Sequence, residues 1–465
     1  MCAFSKRLFN ISHTLIGINY FNKKFDSSYS LRRKRVRSKM DLDLLCREDP
    51  VVLKLDTPEF KNVLTKEVRD LKKLFDNYNY EIRIAGGAVR DLLMGLQPKD
   101  LDFATVATPQ QMKEMFTKEQ VRMINMNGEK HGTITPRIND LENFEVTTLR
   151  IDMVTDGRHA EVEFTTDWKL DANRRDLTIN SMFLGFDGSV YDYFFGYEDI
   201  KKKRVAFVGD ADVRIKEDYL RILRYFRFYG RIADKPDNHE SGTLELIRIN
   251  AGGLQNISGE RLWVELKKIL QGNFAGELLK CMLELGVGKY LGLPSNTNFD
   301  ELDRVLKGGH ELHPMTILAS LLNGIEEVKD LHNRLKFSNY DRDLTYFIVE
   351  NRGEKFDERP LLPYEKFVLY SKTKQVTKEY VCELLKYECK NKLLEDFNNW
   401  EIPRFPIGGQ TLKDNGVKNA KIYAQLLKKL MAIWIDNEYK KTADDLVKYI
   451  PNIVNEIESE NKIKR

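Results

Sequence analysis

Hydrophobic and polar positions change their period repeatedly over residues 41–193, which predicts alternating helices and strands. Apolar residues recur every three or four positions in some stretches, as on one helix face, and at alternate positions in others, as in a half-buried strand. The predicted helices span 59–75, 88–94 and 109–116, and the predicted strands span 81–85, 100–104, 133–137, 144–149 and 162–165. Thr108 and Pro109 suit a helix start, because threonine caps helices and proline fits the first turn. This half is therefore predicted to be a compact α+β domain.

Beyond Gly196 the helical period continues and the strand pattern disappears. The predicted helices of this half are 214–229, 259–270, 277–285, 315–322, 378–387 and 420–435. Glycines and prolines near 286–294 and between Pro403 and Pro406 interrupt the pattern and predict further division. The second half is predicted to be helical, with a terminal module after Pro406.

The length of 465 residues is too great for one hydrophobic core and predicts about two to four domains. No apolar run reaches the roughly 18 to 20 residues that a membrane helix needs, so no membrane partner is expected. The five cysteines show no paired spacing, which favours free thiols in a reducing compartment.

Positive charge is concentrated at the N-terminus. Residues 1–39 carry ten lysines and arginines and one acid, a net charge of +9, whereas the whole chain carries +4 and the remainder therefore −5. An Arg-rich leader almost free of acids predicts a mitochondrial transit peptide over 1–39. A disordered basic tail or a nuclear address at 32–35 is the alternative. An internal start at Met40 would give a cytoplasmic and nuclear form.

Residues 83–105 combine a strand, two glycines, a helix and a pair of acids. Gly86 and Gly87 lack a Cβ atom, so the backbone can approach a ligand, and the following helix offers free N–H groups to an anion. Asp100 and Asp102 are two positions apart, so on a strand both would face one side. Adjacent carboxylates repel unless a cation lies between them, and Mg²⁺ suits such ligands when it also binds substrate phosphates. The combination predicts a site for a metal-bound phosphate, although either half alone is more typical of an ordinary turn.

Arg174, Arg175 and Asp176 form a second polar string. A guanidinium at Arg175 suits a triphosphate, and Asp176 or Asn180 would then lie near a ribose. The alternative for this string is a salt-bridged surface turn.

Residues 217–228 are predicted as one helix, on which the charged residues recur every three positions along one stripe. These residues are Asp218, Arg221, Arg224 and Arg227. Cytosine and adenine share an amino donor beside a ring-nitrogen acceptor, whereas uracil and guanine present a carbonyl beside an N–H. An aspartate and an arginine together would accept C and A and reject U and G. The alternative is a salt bridge on a solvated helix, worth only about 0.2 to 0.5 kcal/mol.

These strings, in this order, resemble the five motifs of the class II CCA-adding enzymes, which are tRNA nucleotidyltransferases of the polymerase β superfamily. The resemblance covers about residues 55–435. It rests on Gly-Gly-Ala-Val-Arg-Asp at 86–91 with Asp-Leu-Asp at 100–102, Arg-Arg-Asp at 174–176, the acidic and aromatic segment 192–199, Glu-Asp-Tyr-Leu-Arg at 217–221 and Ile-Ser-Gly-Glu-Arg at 257–261. Segments 104–109 and 156–160 resemble the eukaryotic branch more closely.

The resemblance implies an α+β fold in which a nucleotidyltransferase palm, a small mixed sheet with helices, precedes an all-α neck, body and tail. The implied divisions are the transit peptide 1–39, the head 40–195, the neck 196–295 with the templating helix, the body 296–402 and the tail 403–465, which would bind tRNA. Lysines in 417–429 are the expected tRNA contacts of the tail.

The resemblance also implies an activity: addition of C, C and A to the tRNA 3′ end from CTP and ATP, without a nucleic-acid template. The implied mechanism is two-metal transfer with release of pyrophosphate. Asp100 and Asp102 are implied to be catalytic and to bind Mg²⁺. The implied nucleotide-binding residues are Gly86, Gly87, Arg90, Arg175, Asp218, Arg221, Arg224 and Arg227.

The sequence leaves three points open, namely the third catalytic carboxylate, the exact activity and the oligomeric state. A third catalytic carboxylate would be Glu145, Glu161 or Glu163. A bacterial-type poly(A) polymerase, which uses ATP alone, is the runner-up activity, and a catalytically silent tRNA-binding protein is the alternative from another class. The partner is expected to be the tRNA acceptor arm and 3′ end, bound by a monomer or a homodimer.

Overall fold

The computed structural model describes residues 46–124, 126–155, 160–353 and 359–463. The predicted transit peptide, the Met40 start and most of segment 156–160 lie outside the described residues. Within the described part, no helix is long and apolar enough to cross a membrane.

Short strands dominate the first part of the chain. They are β1 (Val51–Lys54), β2 (Ile82–Ala85), β3 (Asp102–Thr105), β4 (Arg122–Ile124), β5 (Thr133–Ile138), β6 (Glu142–Asn143), β7 (Glu145–Thr148), β8 (Arg150–Thr155), β9 (Ala160–Phe164), β10 (Phe183–Leu184) and β11 (Ser189–Tyr191). The helices among them are α1 (Pro58–Val63), α2 (Lys66–Asn77), α3 (Gly87–Leu93), α4 (Pro109–Lys118) and α5 (Trp168–Asn173). The capping box at Thr108 confirms the predicted start of α4.

Nine of the described strands form one mixed sheet in the order β1-β11-β10-β2-β3-β7-β5-β4, with β6 paired to β5. β8 and β9 form a separate hairpin. β3 and β7 run parallel, and the register places Asp102 opposite Glu145 at the start of both strands. The parallel pair therefore brings two carboxylates side by side at one edge of the sheet.

Helices make up the described regular structure after Gly196. They are α6 (Gly196–Lys201), α7 (Ala211–Glu217), α8 (Arg221–Ile232), α9 (Ser241–Asn250), α10 (Gly259–Leu270), α11 (Ala275–Glu284), α12 (Gly288–Leu291), α13 (Phe299–Leu306), α14 (Pro314–Ala319), α15 (Ile325–Leu335), α16 (Asn339–Asn351), α17 (Leu362–Tyr370), α18 (Lys374–Tyr387), α19 (Asn391–Asn399), α20 (Gly409–Asp414), α21 (Tyr423–Asp436), α22 (Ala443–Val447) and α23 (Ile450–Ile463). The α+β head followed by a helical half agrees with the prediction.

Two hydrophobic clusters hold most of the buried apolar side chains together. The larger one extends from Phe60 to Phe397 and joins the sheet to the helices behind it. The smaller one joins Leu369 of α17 to residues between Ile407 and Ile457. The last four helices therefore bury their apolar faces mainly against one another, with one contact surface toward α17.

Three predicted elements differ from the structure. The helix predicted over 59–75 is two helices, since Leu64 ends α1 and the Thr65 hydroxyl caps α2. The strand predicted over 100–104 begins at Asp102, and Asp100 lies in the bend before it. The helix predicted over 214–229 is α7 and α8, separated at Asp218, whose backbone is extended (φ −151°, ψ 107°). The Asp218 carboxylate accepts the Leu220 N–H, and such local bonds compete with helix continuation.

Candidate active site

One cavity of about 850 Å³ lies between the edge of the sheet and α8. All ten predicted site residues line it: Gly86, Gly87, Arg90, Asp100, Asp102, Arg175, Asp218, Arg221, Arg224 and Arg227. Among its described lining residues are ten lysines and arginines and seven carboxylates, a surplus of three positive charges. Such a surplus favours a polyanionic ligand.

Gly86 sits at the sharp turn from β2 into α3. Its backbone (φ 66°, ψ −120°) is one that residues with a Cβ atom adopt only at a cost. A Cβ atom there would lie 3.0 Å from Nη1 of Arg175. The absence of a side chain thus lets the turn and the Arg175 guanidinium share one edge of the cavity.

Gly86→Ala is expected to lower nucleotide transfer by at least about tenfold, because the new methyl group displaces Arg175. Gly95→Ala is the matched control, since Gly95 also has a positive φ (71°) but no atom within 4 Å of the added Cβ. Both variants place an alanine at a positive φ, with backbone strain of about 1 to 3 kcal/mol. A thermal melt measures the cost to stability in each variant, and initial rates measure nucleotide transfer. Equal rates in the two variants would contradict this reading of Gly86.

Asp100, Asp102 and Glu145 line the same cavity as Gly86. Partial removal from water, together with the charges of Glu145 and Asp100, raises the pKa of Asp102, and Arg175 opposes the rise. This crowding of negative charge is what a bound cation would relieve. Within the described residues, no three His, Cys, Asp or Glu side chains are placed to hold a metal by themselves. Two aspartates suit a hard divalent ion whose other ligands are water and substrate phosphates.

Of the three residues considered as a third catalytic carboxylate, Glu145 is the one found among the described lining residues of the cavity. This residue lines the cavity and faces Asp102 across the parallel strand pair. Glu163 is exposed on the separate β8–β9 hairpin, and the Glu161 side chain lies outside the described part of the structure. Asp100 and Asp102 do not share one strand face as predicted, because Asp100 precedes β3. Both nevertheless line the same cavity.

Arg90 and Arg175 are oriented by neighbouring polar groups. Arg90 is buried and donates from Nη1 to Asn180 Oδ1 (2.5 Å) and from Nη2 to Asp91 Oδ1 (2.8 Å), and burial lowers its pKa. Arg175 donates to Asp171 Oδ2 (3.0 Å) and to the Asn180 carbonyl (3.2 Å). These bonds fix both guanidiniums before any ligand arrives.

Asp171 is a residue that the sequence reasoning missed. It is buried and binds both Arg174 and Arg175, which lower its pKa although burial opposes them. Its position three and four residues before the two arginines was the available signal, because that spacing brings side chains together on a helix.

The predicted base-reading pair is not arranged as one helical stripe. Asp218 precedes α8, and its Oδ2 accepts from Nη2 of Arg261 (2.7 Å), one turn into α10. Arg221 donates to Glu217 Oε2 (2.7 Å) and to the carbonyl of Arg174 (2.9 Å). Both side chains line the cavity, and each is held by groups outside α8.

Arg224 and Arg227 follow one and two turns later on α8. Arg224 donates from Nε to Asp176 Oδ2 (2.5 Å), and Arg227 donates from Nη1 to Glu265 (3.2 Å). Burial alone would raise the pKa of Asp176, but Arg224 lowers it. The Phe228 ring lies within 5.4 Å of both guanidinium carbons. Glu265 and Phe228 were not predicted, since their relation to the arginines is fixed by packing between elements.

Paired acids at a sheet edge face an arginine-lined cavity, an arrangement that suits a nucleotidyltransferase. Residues 82–206 match the family model described as the poly A polymerase head domain. Residues 240–295 match the model described as the probable RNA and SrmB-binding site of polymerase A.

Full-length relatives specify the family. The chain is 51% identical over 428 residues to CCA tRNA nucleotidyltransferase 1, mitochondrial, of Mus musculus, covering 91% of this chain and 98% of that protein. It is 53% identical over 404 residues to the protein of the same name from Homo sapiens, with coverages of 86% and 93%. The chain belongs to the CCA tRNA nucleotidyltransferase family. The predicted family is therefore confirmed, and the enzyme assignment rules against a catalytically silent protein.

Solved structures of CCA-adding enzymes have the same overall fold as this chain. The Bacillus stearothermophilus CCA-adding enzyme in complex with CTP superimposes with a TM-score of 0.65 at 22% identity, covering 87% of this chain and 100% of that one. The Thermotoga maritima CCA-adding enzyme complexed with tRNA_CCA gives a TM-score of 0.58 at 22% identity, with coverages of 86% and 97%. The mitochondrial names of the vertebrate relatives confirm the predicted localisation, whereas the Met40 form stays a prediction.

Proposed function

We propose that this chain adds C, C and A to the 3′ end of tRNA, using CTP and ATP and its own side chains as the template. The observation that carries the proposal is that the paired acids, Arg90 and Arg175, and the Asp218 and Arg221 side chains all line one cavity. The names of the full-length relatives support the same activity and favour it over a poly(A) polymerase.

The acidic side of the cavity suits Mg²⁺. Asp100 and Asp102 would hold the ion, with Glu145 as the third carboxylate, because their mutual repulsion falls when a cation is present. Positive charge held by these residues would lower the pKa of the tRNA 3′-hydroxyl and offset charge on the triphosphate. The three carboxylates would thus place the ion at one end of the cavity.

The arginine side would hold the triphosphate. Arg90 and Arg175 are charged donors fixed by Asp91 and Asp171, and the turn at Gly86 lets a phosphate approach the backbone. Asn180 is favoured over Asp176 as the ribose contact. Its Nδ2 is buried without a partner among the described residues, whereas Asp176 is engaged by Arg224.

Asp218 and Arg221 would read the base. A carboxylate has about four acceptor sites, and the Asp218 bonds to Leu220 N–H and Arg261 leave others for a base amino group. Arg221 uses three of its about five N–H donors on Glu217, Arg214 and Arg174, within the described part of the chain. The remaining donors would bind the ring nitrogen beside that amino group. Uracil and guanine would instead set a carbonyl against Asp218 and an N–H against Arg221.

The helical half would bind the tRNA. We propose the division into head 40–195, neck 196–295, body 296–402 and tail 403–465, with the separate cluster of buried residues in the tail as support. Lys418 and Lys421 are exposed and suit an RNA backbone. Lys429 is a weaker contact, because it is paired with Glu456 and Glu460.

The activity is tested on a tRNA transcript that ends just before CCA, with a transcript already ending in CCA as control. With CTP and ATP, the first transcript is expected to gain three nucleotides and the control none, as read by sequencing the 3′ ends. Long runs of A from ATP alone would instead support a poly(A) polymerase. Failure to extend either transcript, with both still bound, would reject the proposed activity.

A further inference from the structure

The C-terminal end of α15 meets the segment that leads into α10. There the Arg334 side chain donates to three backbone carbonyls from separate parts of the neck. Nε binds the carbonyl of Tyr290 (2.8 Å), Nη1 that of Ile257 (3.1 Å) and Nη2 that of Leu254 (2.8 Å). The Arg334 guanidinium therefore holds the backbone immediately before α10 in place.

The contact between α15 and the start of α10 is also close-packed at Gly259. A Cβ atom on Gly259, the first residue of α10, would overlap the backbone carbonyl oxygen of Arg334. Gly292 also packs here, and a Cβ atom on it would lie 3.0 Å from the Arg334 Cβ. The start of α10 therefore has little freedom to shift or rotate relative to α15.

α10 carries the charge partners of the nucleotide-binding residues. Arg261 binds Asp218 at 2.7 Å. Glu265, one turn later, lies 3.2 Å from Arg227 and 3.9 Å from Arg224. Any movement at the start of α10 would move these two partners, and with them the Asp218 carboxylate and the two arginines.

We propose that Arg334 is a positioning residue for nucleotide choice. It is not among the described residues that line the cavity, but it fixes where α10 begins and hence where Arg261 holds Asp218. The proposal rests on the proposed base-reading role of Asp218 and Arg221. It extends that role to a residue of the helical body, which no sequence motif connects to the base.

Arg334→Met retains the aliphatic stem and removes the three donors. It is expected to lower the ratio of kcat/KM for CTP over UTP by about tenfold or more, since misplacing a reading group by about 1 Å can cost up to about a hundredfold. Arg334→Lys should recover part of the ratio, because one ammonium can still bind a carbonyl. The substrate is the tRNA transcript ending before CCA, with the full chain throughout.

Arg352→Met is the matched control for loss of stability. Arg352 is also half-buried and donates to the Ala319 carbonyl (2.6 Å), the Leu322 carbonyl and the Tyr387 hydroxyl (2.9 Å), and none of these described hydrogen bonds reaches α10. Its loss should lower the melting temperature comparably and leave the CTP-to-UTP ratio unchanged. Gly259→Ala separates α15 from the start of α10 without removing a charge, so it should lower the CTP-to-UTP ratio as Arg334→Met does. If Arg334→Met does not fold, Gly259→Ala tests the positioning role in its place.

The outcomes distinguish the positioning role of Arg334 from the base-reading role of Asp218. If Asp218→Ala loses selectivity while Arg334→Met, Arg334→Lys and Gly259→Ala keep it, the positioning role is wrong and base reading stands. If Asp218→Ala itself keeps selectivity, base reading by that residue is wrong. Equal losses of ratio in Arg334→Met and Arg352→Met would show a general effect of stability and overturn the positioning role.

Discussion

Asp102→Asn is expected to lower nucleotide transfer by at least about a thousandfold and to leave tRNA affinity unchanged. The substitution keeps the shape of the side chain and removes one of the carboxylates that crowd the edge of the sheet. A neutral amide is a poor ligand for a hard divalent ion, and so the reacting hydroxyl and the triphosphate would lose their shared counter-charge. The measurements are single-turnover extension of a tRNA that ends before CCA and a binding isotherm for the same tRNA.

Asp140→Asn is the matched control for the loss of one negative charge. Asp140 is exposed in the turn between β5 and β6, and its positive φ (54°) is a conformation that asparagine tolerates well. This variant should extend tRNA at the wild-type rate. Substantial transfer by Asp102→Asn would remove the metal-binding assignment, and a parallel loss of tRNA binding would point to misfolding.

Asp218→Ala is expected to retain measurable transfer and to lose most of its discrimination against UTP and GTP. The carboxylate would accept a hydrogen bond from the base amino group and repel the carbonyl that uracil or guanine presents there. Its loss would remove that repulsion. A discrimination of about 1 to 3 kcal/mol per reading contact corresponds to about tenfold to hundredfold in relative kcat/KM. The measurement is kcat/KM for each of the four nucleotides on one tRNA substrate.

Asp212→Ala controls for the removal of an acid near the same site. Asp212 lies on α7, binds Lys216 and Asn250, and does not line the cavity among the described residues. Its selectivity should equal that of the wild type. An Asp218→Ala enzyme with the same preference for CTP and ATP would refute base reading by this residue.

The sequence predicted the parts of the site that short-range chemistry determines. Gly86, Asp102 and Arg175, which line one cavity, could be proposed from the sequence because a backbone turn, a carboxylate pair and an arginine string each have a recognisable local pattern. The capped start of α4 at Thr108 was found for the same reason. These features depend on a few neighbouring residues, which a sequence displays directly.

The parts that depend on packing between elements were not visible. The apolar residues keep a helical period on both sides of Asp218, so the sequence predicts one continuous helix. The helix is interrupted there because the Asp218 side chain binds the Leu220 N–H and Arg261 of α10. Glu145 could not be chosen over Glu163 until the pairing of β3 with β7 was known. Arg334 has no sequence signal, since its three carbonyl partners lie 44 to 80 residues away.

The most direct test of a protein-side-chain template uses a CTP analogue without the exocyclic amino group. Its kcat/KM is compared with that of CTP in the wild-type enzyme and in Asp218→Ala. The wild type should prefer CTP by about tenfold to hundredfold, as expected for one lost reading contact, and Asp218→Ala should treat the two nucleotides alike. An equal preference for CTP in both enzymes would contradict the account, because the amino group would then be read by something other than Asp218.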